Sequence, residues 1–215
     1  MRERSAQLAS LTGLAAVALL VVSAIVGGET PGADETADAV VSFYLEDESA
    51  QTTSSILAAY GALFLIFFVS VLRGRLRREE GVGGAASATA FAGGLILALG
   101  LLLFAGLTFT LADAAGTLDP SAAQAISALN SNLFFPTAAG TEALLIGAGI
   151  AMIRGAAFPT WLGAVAIVIA ILGLTPIGFF ALLAALVWIV VVSVLMALRP
   201  ADRRTPPAAA APDHG

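Results

Sequence analysis

The chain has no cysteine and no lysine, and its one histidine, His214, stands next to the last residue. Without cysteine there is no disulfide framework, no thiolate nucleophile and no Cys-ligated metal, and the redox compartment leaves no trace in the sequence. Charge is scarce as well. Asp, Glu, Lys and Arg make up 12% of the 215 residues against about 25% in ordinary soluble domains, and 59% are hydrophobic against about 45–50%. No Ser–His or Ser–Lys pair, no HExxH and no cluster of metal ligands occurs, so the sequence points away from an enzyme and implies no cofactor and no metal.

What the chain does have is apolar residues in repeated blocks, each near the roughly 20 residues that cross a hydrocarbon core of about 30 Å. The blocks run over about 8–26, 55–72, 86–111 and 136–153, followed by a 41-residue stretch from Phe158 to Leu198. That stretch is too long for one span, and Thr175-Pro176 interrupts it, because proline lacks an N–H and disfavours helix in the residue before it. It divides into 158–174 and 177–198. The expectation is an all-α, polytopic six-helix membrane bundle over 1–200, with a disordered, Pro- and Ala-rich cytoplasmic tail over 201–215. A cleaved secretory signal ending near Val22-Ser23-Ala24 is the alternative for the first block, disfavoured because about 19 apolar residues exceed the 7–15 usual for a signal.

Charge sets the orientation. All ten Arg fall at the N-terminus, in 73–85, in 154–157 and in the C-terminal tail, one side of a six-span map, so the positive-inside rule makes that side and both termini cytoplasmic. The opposite connections, 27–54 and 112–135, carry nine acids and no base. In the first of them Ala37, Val40, Val41, Tyr44 and Leu45 recur with helical period, and in the second Asp119-Pro120-Ser121 reads as a helix start ahead of Ala122, Ala125, Ile126 and Leu129. Both long outer loops are therefore expected to hold a short amphipathic helix. The expected location is the bacterial plasma (inner) membrane.

Glu142 is the one acid inside an expected span, and such a residue is a functional candidate because a mid-bilayer charge costs about 2.5–3.5 kcal/mol on insertion scales. A helix starting at Thr141 would put it in a first turn that favours a carboxylate, but would leave too short a span, so a start near Pro136 is preferred. Asp113 and Tyr60, with Thr108 and Thr110, are its expected neighbours. Small residues recur at spacing four in Ala9–Gly13, in Ala90, Gly94 and Ala98, and in Ala139, Ala143, Gly147 and Ala151, a pattern that suits close helix packing. Trp161 suits an interfacial belt, whereas Trp188, midway along the last span, needs a partner for its indole N–H. Arg73, Arg75, Arg77 and Arg78 are expected to meet anionic lipid headgroups, each base being worth about 1 kcal/mol near such a surface. So small a basic surface excludes nucleic acid as a partner. Gly81-Val82-Gly83-Gly84 lacks the Lys-Ser/Thr of a phosphate loop and reads as a connector.

With its six blocks, the Arg-rich boundary and Phe158-Pro159-Thr160-Trp161-Leu162-Gly163 after Met152-Ile153-Arg154-Gly155, the chain resembles a family of uncharacterised six-span membrane proteins of bacteria, common in actinobacteria. The resemblance implies fold and location and carries over no catalytic residue. Two functions follow as expectations. The first is a non-enzymatic integral protein of the lipid bilayer that acts by packing against a second copy of itself or a membrane-protein partner, with the outer helices as the contact surface. The alternative is a small cation or proton-linked channel or carrier using Glu142.

Overall fold

The computed structural model describes residues 11–32, 34–80, 83–175 and 178–198. Among them every regular element is helical: α1 (Thr12–Gly27), α2 (Ala37–Glu46), α3 (Glu48–Glu80), α4 (Ala85–Ala114), α5 (Pro120–Asn132), α6 (Phe134–Arg154), α7 (Thr160–Gly173) and α8 (Gly178–Leu198). Four helical stretches are long and apolar enough to cross a membrane: α3, α4, α5 running into α6, and α8. The other two apolar helices, α1 and α7, fall short of that length with 16 and 14 residues. At 1.5 Å per residue α7 is only about 21 Å long. The expected tail over 201–215, the first residues with Ala9, and Pro176 lie outside the described residues.

Two expected loops are helix instead. The Arg run is the continuation of α3, which reaches Glu80, because Arg, Leu and Glu are good helix formers that outweigh the single Gly74 until the glycines at 81, 83 and 84. Gly84 takes φ +53°, a conformation that glycine adopts without strain, and there the chain turns into α4. Glu80 completes the turn: its two carboxylate oxygens accept from the amides of Ala86 (2.7 Å) and Ser87 (3.0 Å), the otherwise unpaired donors of the α4 N-terminus. At its other end α3 begins at Glu48, seven residues before the expected span, so its first two turns stand among the acids of the 27–54 connection.

The apolar helices pack in chain order, α1 on α3, α3 on α4, α4 on α6, α6 on α7, α7 on α8, and α8 back on α1. Each pair is antiparallel. Along α4 and α6, Ala90 meets Gly147 and Leu97 meets Gly140, while Gly13 of α1 meets Ser193 of α8 and Leu162 of α7 meets Trp188. The main core, with Phe68, Leu72, Leu144, Met152, Trp188 and Met196, fills one end of this ring. That end also carries the described arginines. Arg75 donates to the Met196 carbonyl near the C-terminus of α8 (2.6 Å), and Arg73 lies over the Phe91 ring, 4.9 Å from its centroid. The Trp188 indole donates to the Leu162 carbonyl at 3.2 Å, and Trp161 is exposed.

The small-residue stripes are spent inside the chain. A Cβ at Gly93 or Gly140 would run into backbone atoms of the facing helix, one at Gly147 into the Ala90 backbone, and one at Gly94 into the Val69 side chain. The backbones of α4 and α6 therefore touch directly, the geometry small residues make possible.

The acidic end is closed by α2 and α5. Thr36 caps α2 by accepting from the Ala39 amide (3.3 Å), and Asp119 caps α5 by accepting from the Ser121 amide (2.9 Å), with Pro120 in the first helical position. The two helices share a small second core of Val40, Tyr44, Ala123, Leu111, Ala112 and Ala115, the last three at the end of α4. Gln124 donates to the Glu35 carbonyl (2.7 Å), and Asn130 donates to Thr108 Oγ1 (3.0 Å). Burial pushes the Tyr44 phenol above its ordinary pKa, with Asn130 alongside pulling it partly back.

Candidate functional site

The ring is not filled at its acidic half. A cavity of about 320 Å³ lies between α1, α3, α4, α6 and α8, within the range of small-molecule sites. Its walls are apolar, with Leu20, Leu65, Leu97, Phe104, Leu186 and Ile189 among them, and no ionisable side chain among the described residues lines it. Along α1 the lining runs from Ala16 to Gly27, so the space is about 16 Å long at 1.5 Å per residue. The exposed Ala24, Gly28, Thr30 and Leu183 border its mouth.

Polar groups gather toward that mouth. Ser23 Oγ donates to the Ser54 carbonyl (2.8 Å) and Ser54 Oγ returns a bond to the Ser23 carbonyl (3.0 Å), a reciprocal clasp between α1 and α3. One turn on, Gln51 Nε2 donates to the Gly27 carbonyl (2.7 Å), just where α1 ends and its last carbonyls lack intrahelical partners. Across the cavity Thr141 donates to the Thr137 carbonyl (2.8 Å), and Thr137 to that of Leu133 (2.7 Å). The hydroxyl protons are thus committed to backbone. What remains toward the cavity is mostly acceptors: hydroxyl lone pairs and Oε1 of Gln51, a residue 1% exposed whose Oε1 makes no hydrogen bond with the described residues.

Glu142 is not in this cavity. The α6 helix begins at Phe134, two residues before the expected Pro136, and Glu142 lies in its third turn, so the start at Thr141 is ruled out. The side chain is half-buried and faces the α7–α8 break. There a Cβ on Gly173 would stand 2.9 Å from Oε1, so glycine makes the room for the carboxylate. The crevice, about 10 Å³, has room for about one water and is lined by Ile169, Ala170, Ala181 and Leu182. Next to it α7 frays through Thr175 N donating to the Leu172 carbonyl (3.0 Å), and α8 starts at Gly178, on either side of the expected interruption.

The expected neighbours of Glu142 are not brought to it. Asp113 and Tyr60 are exposed and line neither space, Thr110 turns back onto the Gly106 carbonyl, and Thr108 is taken by Asn130 under α5. Axial register explains this, together with helical phase: α6 around Glu142 lies beside Gly93 and Leu97 of α4, about three turns or more from Thr108, Thr110 and Asp113, and Glu142 itself faces Gly173 at the α7–α8 break. Thr141 and Leu182 border both spaces and are the wall between them. No group of three His, Cys, Asp or Glu among the described residues is placed to hold a metal ion.

Sequence reasoning missed Gln51 and Ser54 because it placed 27–54 outside the spans, and Ser23, inside the first span, because it was read only as part of a possible cleavage site. The signal was present: Gln51, Ser54 and Ser55 share a helical face at spacings of three and four, and so do Ser23 and Gly27. No protein-family profile, no curated protein and no solved structure matches the chain.

Proposed function

We propose that the protein is a non-enzymatic, six-helix integral protein of a bacterial plasma membrane that works by holding an apolar molecule within its ring of helices. The observation that carries this reading is the 320 Å³ cavity with apolar walls and, among the described residues, no ionisable side chain in its lining. Pockets built of hydrophobic walls with a few placed polar groups are binding sites by general physics. The orientation follows from charge: the described arginines, at 73, 75, 77, 78 and 154, sit at the end opposite the acids, which puts that end in the cytoplasm. The two short apolar helices, α1 and α7, complete the six by packing into the ring and by local thinning of the bilayer. Exposed Arg77 and Arg78 are the residues available to anionic headgroups, since Arg73 and Arg75 also serve Phe91 and Met196. Membership of a bacterial six-span membrane-protein family is part of the same proposal.

The conduit reading draws less support, because its residue, Glu142, lies behind the wall formed by Thr141 and Leu182. Two measurements test the proposal together. The chain has no cysteine, so single cysteines at Ser49 and at Gly83 report sidedness directly. Expected is labelling of Ser49→Cys, and not Gly83→Cys, by a membrane-impermeant maleimide added to whole cells. Proteoliposomes should show no cation or proton flux above empty vesicles, with Glu142→Gln unchanged. Flux that the Gln variant abolishes would overturn the binding reading in favour of a carrier.

A further inference from the structure

We infer that the cavity takes a lipophilic cation: a molecule with a hydrocarbon body and a positively charged, N–H-donating head held at the mouth. The inference rests on the binding reading above and adds to it the charge and polarity of the occupant. The body is set by the walls, which are mostly hydrocarbon from Leu20, Leu65, Leu97, Phe104, Leu186 and Ile189. Such a space favours apolar matter in proportion to the area removed from water.

The head is set by what lies at the open end. Most of the donors there are committed: Ser23, Ser54, Thr137 and Thr141 each give the hydroxyl proton to a backbone carbonyl. Apart from the second amide proton of Gln51 and the hydroxyl of Thr30 at the exposed rim, the side chains at this end offer acceptors, and foremost among them is Gln51 Oε1, on a side chain buried to 99% and without a hydrogen bond to the described residues. An acceptor in that position is satisfied by a head that donates.

The surrounding charge has a single sign. Glu29 stands between Gly28 and Thr30, both of which border the cavity. Asp47 and Glu48 lie one turn ahead of Gln51, whose amide bonds to the Asp47 carbonyl (2.9 Å). All three acids are exposed, and every described arginine is at the far end of the helices. Acids gathered at the mouth of a low-dielectric space raise the local concentration of cations and repel anions. A fatty-acid-like anion meets the wrong charge and the wrong hydrogen-bonding partner; a neutral alcohol meets the right partner without the attraction.

The test uses the full chain in phosphatidylcholine nanodiscs and three photoactivatable probes of equal length: hexadecylamine, hexadecanol and hexadecanoic acid, each with a diazirine in the chain. Expected is crosslinking of the amine to residues of α1, α4 and α8 that line the cavity, at least about tenfold more efficient than for the acid, with the alcohol between them. Excess dodecylamine should compete it away. Gln51→Leu should lower amine labelling roughly tenfold, the scale of one hydrogen bond to a charged group. The triple change Glu29→Gln, Asp47→Asn, Glu48→Gln should lower it comparably and abolish its sensitivity to salt. Leu20→Trp, which fills the space from α1, should remove it, and Ala58→Phe does so from α3 if the first variant misfolds. Equal labelling of the cavity by amine and acid would leave a binding cavity and overturn the cation. Amine labelling spread over the lipid-facing surface, or unmoved by Gln51→Leu, would overturn the inference as well.

Discussion

Where α4 meets α6 the contact is made by backbone: Gly93, Gly140 and Gly147 leave no space for even one carbon between the helices. Where α1 meets α8 the two come together at Gly13 and Ser193, but toward the acidic end they are faced by Leu20, Leu182 and Leu186, and the cavity lies between them. Both flanks are apolar, so hydrophobicity does not distinguish them. In lipid, burial of apolar surface gives helices little reason to associate, and van der Waals contact at close range takes its place. Small residues at spacing four let the first flank close completely, while branched side chains without matching holes leave the second flank open. The comparison teaches where a ligand can enter a bundle of this composition: where facing helices lack a stripe of small residues on which their backbones can meet.

The largest effect should come from disturbing the closed flank. Gly93→Val or Gly140→Val forces α4 and α6 apart along their whole contact and is expected to cost about 3 kcal/mol or more, beyond the usual penalty for one extra methylene. For a chain of this size that lowers the unfolding temperature by roughly 6–12 °C, read by a thermal scan in detergent micelles. Gly106→Ala is the control on the same helix. A Cβ there meets nothing within 4 Å, so the change should be neutral or stabilise by up to about 1 kcal/mol through helix propensity. Should the valine variants melt with the wild type, the α4–α6 contact is not the rigid half of the molecule and the comparison collapses.

A smaller effect probes the seam between the flanks. Trp188 of α8 holds α7 through its indole N–H on the Leu162 carbonyl. Trp188→Phe keeps most of the packing and removes that bond, for an expected loss of about 1 kcal/mol, or roughly 2–4 °C in the same scan. The loss should leave amine labelling of the cavity unchanged, because Trp188 does not line it.

Much of this fold was legible from the sequence for a simple reason: helix boundaries follow local signals. The Thr175-Pro176 break, the Asp119-Pro120 cap, the amphipathic pattern of 37–45 and the need of Trp188 for a partner all concern residues close in sequence or a single donor, and each has its counterpart in the structure. Two misreadings share a different cause. The Arg run was read as a loop from its charge, although a charged face is no obstacle to a helix that leaves the bilayer. Glu142 was given neighbours without the register of the helices, which sets α6 with Gly140 beside Leu97, several turns from Asp113, while rotation about the helix axis turns Glu142 to Gly173. The cavity was illegible altogether. A void is a failure of side chains from five helices to meet, and no local pattern encodes a mismatch between residues as distant as Leu20 and Leu186.

The cap formed by α2 and α5 offers the finest test, because it leans on the end of α4 and adds nothing to either flank. The Ser121 hydroxyl, and after it the Ser121 amide, hold the Asp119 carboxyl below its ordinary pKa. A carboxylate stabilised in the folded state contributes its stability above the unfolded pKa of about 3.9, and loses it as pH falls through the lower folded value. Acidification from pH 6 toward pH 3 should therefore speed hydrogen exchange at Ser121 and Ala122 in the first turn of α5. Asp119→Asn keeps an oxygen acceptor at the cap but has no proton to gain, so its first turn should exchange at a rate nearly independent of pH after correction for intrinsic chemistry. Amides in the middle of α4, around Gly93 and Leu97, should not respond in either protein. If they follow Asp119, the cap is coupled to the glycine-packed flank and the separation of closed from open halves must be redrawn to include it.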